Sequence, residues 1–252
     1  YGDDVMDGGQ GFDVAVFSGA STDYTLEFLP GGRLSLTSTA EGIDTLSDIE
    51  VFQFADRGLQ LLVGKVADGY IAGASIYIDT DRDGIADPGE ATGIVTDAQG
   101  NFKGALPLDT PILAIGGTNI DTGLSNRLVL AAPQGSTVIT PLTTLIQSQI
   151  ALTGQSISQA EAAVQVALGL SADVDLTQYD PLAQAAGNAT ALAVQSAAAQ
   201  VAELGARSVA EGTVFSAITG AIAAGIQAGQ MIDLTDRAKL ETLLGGVASD
   251  AA

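Results

Sequence analysis

The sequence of 252 residues contains no cysteine and no histidine, and it has only nine lysine and arginine residues against thirty aspartate and glutamate residues. Without cysteine and histidine the chain cannot form disulfides, thiol nucleophiles, imidazole bases or the usual sites for zinc, copper and iron. Any bound metal ion must therefore be held by oxygen. The formal net charge of −21 disfavours nucleic acid as a partner and favours cations.

Targeting and membrane signals are also missing from the sequence. Residues 1–13 have no basic segment and no apolar run, so we expect no N-terminal signal peptide in this sequence. Residues 212–232 are uncharged over a length that could cross a bilayer, but four glycines, two glutamines and three hydroxyl residues make the segment only weakly apolar. We predict a helix packed within the protein there, and no membrane span.

The composition changes near residue 135. Before it, β-branched and aromatic residues alternate with polar residues between turns rich in glycine, aspartate and proline, which is typical of β-strands. The segment 23–39 predicts a hairpin that turns at Pro30-Gly31-Gly32. Further strands are predicted at residues 50–55, 59–66, 74–79, 92–96, 101–106 and 111–116.

After residue 135, alanine, leucine and glutamine dominate and signals for helix starts recur. Thr140-Pro141 and Asp180-Pro181 each place a capping residue before a first-turn proline, while residues 158–161 (SQAE) and 208–211 (SVAE) fit the capping box. We predict α-helices, with glycines near the ends of most of them, at residues 141–152, 158–168, 181–204, 208–228 and 235–244. The chain is therefore predicted to be α+β and multi-domain.

The first sixteen residues, YGDDVMDGGQGFDVAV, contain a nine-residue repeat in which Gly2 recurs as Gly11 and Asp4 recurs as Asp13. Residues 8–16 match the pattern G-G-x-G-x-D-x-U-x, with alanine at the position U that usually holds a larger apolar residue. Glycine permits the tight turns of such a repeat, and aspartate supplies an oxygen ligand for a hard cation. The alternative is an ordinary pair of turns rich in glycine and aspartate.

On these residues, and on the run that follows them to GIDTLSDIEVFQFAD, residues 1–62 resemble the end of an RTX (hemolysin-type calcium-binding) β-roll with its β cap. The resemblance implies that further repeats precede Tyr1 in a parent protein. It also implies that calcium is contacted by Asp4 and Asp13, with help from the backbone of Gly2, Gly9 and Gly11.

A second calcium pattern lies in residues 79–90, DTDRDGIADPGE, which place five acidic side chains in twelve positions. With Gly84 at position 6, the residues at positions 1, 3, 5, 7, 9 and 12 match the ligands of an EF-hand loop. These candidate ligands are Asp79, Asp81, Asp83, Ile85, Asp87 and Glu90, of which Ile85 offers its backbone carbonyl. The alternative is a solvated acidic loop that binds no metal.

The flanks of this loop are strand-like rather than helical. GASIYI before it and ATGIVTDAQGNF after it predict a calcium loop between two β-strands. Residues 63–117 are similar in this pattern to the calcium-bearing B-type modules of bacterial surface proteins, which implies an immunoglobulin-like β-sandwich. We thus expect three domains: the β-roll end at 1–62, the sandwich module at 63–134 and an alanine-rich α-helical region at 135–252.

These resemblances predict a calcium-dependent structural or adhesive module of a large bacterial extracellular protein that is secreted by a type I system. We expect calcium ions as ligands, and other copies of the chain or a cell-surface ligand as partners. An alternative is the non-catalytic C-terminal part of a calcium-dependent secreted enzyme, whose catalytic domain would lie upstream of this chain. A paired-carboxylate hydrolase is the main catalytic option left without histidine and cysteine. The calcium patterns already account for the dense carboxylates and the others are scattered, so we do not expect the chain itself to be an enzyme. The C-terminal segment DRAKLETLLGGVASDAA resembles an uncleaved export signal.

Overall fold

The computed structural model describes residues 2–184, 186–210, 215–230 and 232. Among these residues the chain forms several β-sheets and four α-helices, a mixture compatible with the predicted α+β class. The chain divides into two compact units, and two of its strands contribute residues to both. Unit 1 comprises Tyr1–Leu62 and Gly104–Asp109, and unit 2 comprises Val63–Lys103 and Thr110–Ala252.

The elements of the described residues are numbered here in chain order. The strands are β1 (Val5–Asp7), β2 (Val14–Val16), β3 (Tyr24–Phe28), β4 (Leu34–Ser38), β5 (Gly42–Ser47), β6 (Val51–Gln53), β7 (Gly58–Val66), β8 (Ile71–Ala72), β9 (Ser75–Ile78), β10 (Ala91–Val95), β11 (Asn101–Pro107), β12 (Ile112–Ile115), β13 (Thr118–Asn119), β14 (Leu130–Ala132) and β15 (Val138–Ile139). The helices are α1 (Pro141–Thr153), α2 (Ile157–Leu168), α3 (Ala189–Ala210) and α4 (Phe215–Gln227).

Unit 1 is built from short strands that are divided between two sheets. Strand β1 pairs in parallel with β5 in the sheet β1-β5-β4-β3, whereas β2 pairs in parallel with β6 in a second sheet. The predicted hairpin of residues 23–39 is confirmed as β3 and β4, with Leu26 opposite Leu36. Apolar side chains of both sheets form one core, whose buried members are Ala15, Phe17, Leu34, Leu36, Leu46, Ile49, Phe52 and Phe54.

Unit 2 contains the antiparallel sheet β10-β9-β12-β14, so the strands predicted at residues 74–79, 92–96 and 111–116 are confirmed. A two-stranded pair is formed by β8 and β13, and β15 lies parallel to β7 with Val138 opposite Lys65. Helix α1 packs against β14 and against the other three helices. Helix α1 thus covers the edge strand β14, whose three residues are buried.

Among the described residues, one predicted helix start is confirmed and three differ from the prediction. Thr140 caps α1 as predicted, because its Oγ1 accepts hydrogen bonds from the N–H groups of Leu142 and Thr143. Helix α2 is capped by Ser156 rather than by Ser158, so the capping box lies two residues earlier than expected. A serine that precedes the whole first turn can reach the free N–H groups, whereas a serine inside that turn cannot.

The helix predicted at residues 181–204 was placed too early. Asp180 accepts the N–H groups of Leu182 and Ala183, but it closes only a turn. Helix α3 begins after Asn188, whose Oδ1 accepts the N–H of Ala191. It then continues through Gly205 to Ala210, so this glycine does not end a helix. Glycines 154, 169 and 229 do follow helix ends with positive φ.

The remaining helix predictions concern the C-terminal region. The segment predicted at residues 208–228 is divided between the end of α3 and α4, and the SVAE sequence of residues 208–211 does not begin a helix, since α3 already contains its first three residues. The helix predicted at 235–244 and the export-signal segment lie outside the described residues. Across the residues described, no helix has both the length and the apolar character that crossing a membrane requires.

Candidate metal centre

The acidic loop of residues 79–90 connects two neighbouring antiparallel strands, as its flanking sequence predicted. Strand β9 ends at Ile78 and β10 begins at Ala91, and the two strands pair with Ala91 opposite Tyr77. The loop turns through Arg82 and Gly84, which have φ values of 62° and 74°. Glycine adopts this backbone region without strain, which explains its place at position 6.

Three of the predicted ligands converge. Asp79, Asp81 and Asp83 each offer a carboxylate oxygen, and these oxygens lie within 4.8 Å of one another. Across the described residues, this is the one group of three or more acidic side chains that meets this distance. Alternate residues of a tightly curved loop point to its inside, so the spacing of two residues brings the carboxylates together.

Asp79 is the buried member of the group. Its side chain is 1% exposed, whereas Asp81 and Asp83 are exposed to solvent. Asp79 Oδ2 accepts the N–H of Gly84 at 3.2 Å, but Asp79 Oδ1 is buried and has no hydrogen-bond partner. A buried carboxylate oxygen without a donor is costly unless a cation offsets its charge.

On balance, the surroundings of Asp79 raise the pKa of its carboxyl group. Burial raises the pKa of Asp79, and the negative charges of Glu90, Asp83 and Asp81 raise it further, against the opposing hydrogen bond from Gly84. Loss of hydration and repulsion between like charges both disfavour the ionised form. A divalent cation would remove both penalties, so the site fits a hard cation held by oxygen.

Glu90, the predicted final ligand, is buried but is held by protein groups. Its Oε1 accepts the N–H and the hydroxyl of Thr80, both at 2.6 Å, and its Oε2 accepts the N–H of Asp87 at 3.2 Å. The hydrogen bond from the Thr80 hydroxyl is the largest influence on Glu90, and it lowers the pKa of this side chain. Glu90 and Asp87 lie outside the converging group, so their role as ligands stays a prediction.

Ile85 is 61% exposed, which suits a residue whose predicted contribution is its backbone carbonyl rather than its side chain. Its N–H donates to Asp83 Oδ1 at 2.7 Å. Asp79, Asp83 and Ile85 also border a cavity of about 760 Å³ that reaches Gln147 and Leu152 of α1. An ion could therefore reach the loop from this side.

Sequence reasoning did not identify Thr80, which lies between the first two predicted ligands. Its backbone and side chain tie Glu90 to the start of the loop. The only signal in the sequence is a hydroxyl residue at position 2 of the pattern, and hydroxyls occur in many turns for other reasons.

We expect Glu90→Ala to destabilise the protein even in the presence of a chelator, by about 1.5–3 kcal/mol, because it removes a charged acceptor from Thr80 and Asp87. The pKa of Glu90 is lowered by folding. This contribution is therefore fully present above the ordinary pKa of a glutamate and is lost progressively as the pH falls from that value through the lower pKa of the folded state. Urea unfolding at pH 7 and at pH 4 with chelator measures both effects. Equal stability of the variant and the parent at pH 7 would contradict this structural role.

The two candidate aspartates of unit 1 occupy equivalent places, each directly before a strand that pairs in parallel with a later strand. Asp4 precedes β1 and its N–H donates to Asp44 Oδ1 at 3.0 Å, while Asp13 precedes β2 and its N–H donates to Glu50 Oε2 at 2.8 Å. Their carbonyls accept N–H groups from residues of β5 and β6. Each repeat aspartate thus lies beside a second carboxylate that sequence analysis did not single out.

The glycines of the repeat have the backbone that the pattern requires. Gly2, Gly9 and Gly11 have φ values of 128°, 77° and 133°. Asp13 Oδ2 is buried without a hydrogen-bond partner. In the described region neither Asp4 nor Asp13 belongs to a group of three acidic side chains, so calcium contact at these five residues stays a prediction.

Comparisons of the chain with family models, with curated proteins and with solved structures found no match. The similarities to RTX proteins and to B-type modules therefore depend on the sequence patterns quoted above.

Proposed function

We propose that this chain is a calcium-dependent structural or adhesive module of a large bacterial extracellular protein. The observation that carries the proposal is the buried, partnerless oxygen of Asp79 next to the exposed carboxylates of Asp81 and Asp83. Three negative charges at this distance repel one another, and a divalent cation among them converts the repulsion into attraction.

Calcium suits the site better than magnesium does. Calcium accepts six to eight oxygen ligands in a flexible geometry, and the loop offers carboxylates together with the carbonyl of Ile85. Magnesium requires near-ideal octahedral geometry and gives up its water slowly. Cysteine and histidine are absent from the sequence, which disfavours zinc and copper.

The affinity expected for calcium would make the occupancy of the site depend on whether the protein is inside or outside the cell. Calcium loops of extracellular modules bind with dissociation constants of about 10⁻⁴–10⁻³ M, near the calcium concentration outside cells. The site would be empty in the cytosol and filled after export. Because the loop connects β9 and β10, a bound ion would hold the hairpin at the edge of the sheet β10-β9-β12-β14.

The role is structural and not catalytic. The sequence has no histidine or cysteine to act as base or nucleophile, and the densest carboxylates lie where a cation best accounts for them. Self-association of copies through exposed strand edges would make such a module building material for a surface layer or filament.

We expect millimolar calcium to increase both the thermal stability and the particle size of the chain, as followed by calorimetry and light scattering. Asp79→Asn should abolish the stability effect, whereas Asp173→Asn, which removes the same charge from an exposed loop of unit 2, should retain it. A stability increase without any growth in size would favour the alternative of a monomeric folding module in a secreted enzyme. No response of either quantity would refute calcium dependence.

A further inference from the structure

A second cavity of unit 2 contains a carboxylate that the calcium proposal does not use. The cavity has a volume of about 210 Å³ and shares no residue with the loop of residues 79–90. It lies among the turn after β7, the segment after β13, the start of α1 and one side of α3. Asp68 borders it and, together with Asn119, Thr122 and Ala199, also borders an adjoining cavity of about 610 Å³.

The carboxylate of Asp68 is desolvated and uncompensated within the described residues. Burial raises its pKa, and neither a hydrogen bond nor a nearby charge contributes to that shift. Lys65, three residues earlier, is engaged elsewhere: its Nζ lies 3.9 Å from Asp180 Oδ2 and 3.8 Å from the centre of the Tyr70 ring. A half-buried carboxylate at a cavity wall, with no partner of its own, is suited to receive a cation from outside.

The other walls of the cavity show which cation would fit. Asp121 and the amide of Asn119 lie on the same side as Asp68, where both surround Gly69. The remaining surface is largely aliphatic and includes Leu142, Leu176, Leu182 and Val194. A metal ion gains nothing from aliphatic walls, and two carboxylates are few ligands for calcium. An ammonium group on a short hydrocarbon chain would use both surfaces.

The volume of the cavity agrees with a small ligand. A cavity of about 210 Å³ has room for several water molecules, and therefore for a small ligand. The high negative charge of the chain would also concentrate organic cations near its surface.

We propose that this cavity binds a small aliphatic amine, whose ammonium group pairs with Asp68 and whose hydrocarbon chain contacts the leucine and valine side chains opposite. The amine could be a free diamine or the side chain of a lysine. Both sources present the same chemistry to Asp68.

Isothermal titration calorimetry with 1,4-diaminobutane and with Nα-acetyl-lysine amide tests this proposal. We expect saturable binding of at least one probe with one site per chain, and the tighter probe identifies the source of the amine. Binding to Asp68→Asn should be at least about tenfold weaker, since a charged hydrogen bond is lost. The neutral analogue 1,4-butanediol should bind at least about tenfold more weakly than the diamine.

A matched control distinguishes binding of the amine at this site from the general attraction of cations to an acidic protein. Glu27→Gln removes one negative charge from an exposed strand of unit 1, and it should leave the affinity unchanged. Circular dichroism and thermal melting should show that Asp68→Asn is folded and at least as stable as the parent, because it removes an uncompensated charge. Asp121→Asn, at an exposed position, should weaken binding by a few-fold. Equal affinity of the parent and Asp68→Asn, or equal loss in Glu27→Gln, would overturn the proposal.

Discussion

Adding 10 mM calcium should raise the melting temperature of the chain by about 5–10 °C, and Asp79→Asn should remove this increase. If the dissociation constant is about 10⁻⁴ M, this concentration exceeds it about a hundredfold, and binding stabilises the folded state by about 2.7 kcal/mol. For a chain of this size, each kcal/mol corresponds to about 2–4 °C. Differential scanning calorimetry with and without chelator measures the shift.

In the presence of a chelator, Asp79→Asn should not lower the stability of the protein. Without a cation the buried Asp79 carboxylate lies close to the charges of Asp81, Asp83 and Glu90, so neutralising it should leave the protein at least as stable as the parent. With calcium, the variant should be clearly less stable than the parent. This reversal separates loss of a ligand from general damage to the loop. A variant that is equally destabilised under both conditions would contradict the assignment of Asp79 as a metal ligand.

Replacing Phe52 by alanine should destabilise the protein by about 3–5 kcal/mol, the usual cost of removing a buried phenylalanine side chain. Phe52 is 0% exposed on β6, where it contributes to the core between the two sheets of unit 1. This core also contains stacked rings of Phe17 and Phe54, whose centres lie 5.3 Å apart. Urea unfolding followed by circular dichroism gives the free energy of unfolding.

Phe12→Ala is the matched control for this prediction. Phe12 lies in the nonapeptide repeat and is 68% exposed, so its removal should change the free energy of unfolding by less than about 0.5 kcal/mol. Comparable losses from Phe12→Ala and Phe52→Ala would contradict the placement of Phe52 in the core and of Phe12 at the surface.

Local sequence signals predicted much of the secondary structure. The hairpin of β3 and β4 was recognisable because two alternating runs flank a proline and two glycines, and Thr140 was recognisable as a cap because a proline follows it. These features depend on residues a few positions apart. The same signals failed at Asp180 and Ser158, because Asn188 and Ser156 hold the capping positions of α3 and α2 instead.

Parallel strand pairing could not be read from the sequence. Paired residues of β1 and β5 are about forty positions apart in the chain, and β1 is only three residues long. The neighbours of Asp4 and Asp13, namely Asp44 and Glu50, follow from that pairing, so their place beside the repeat aspartates was equally hidden.

The sequence by itself determined the chemistry that is available. It restricts metal ligands to oxygen and gives an excess of negative charge. It also places three aspartates at alternate positions of a twelve-residue loop, where their carboxylates can meet. Only the tertiary structure decided which carboxylates are buried from solvent. Asp79 is enclosed and Asp81 is not, Glu90 is held by Thr80, and Asp68 lies unpartnered in a cavity bordered by helix α3. Exposure differs among chemically identical side chains because it depends on which distant segments pack over them, and no local pattern records that packing.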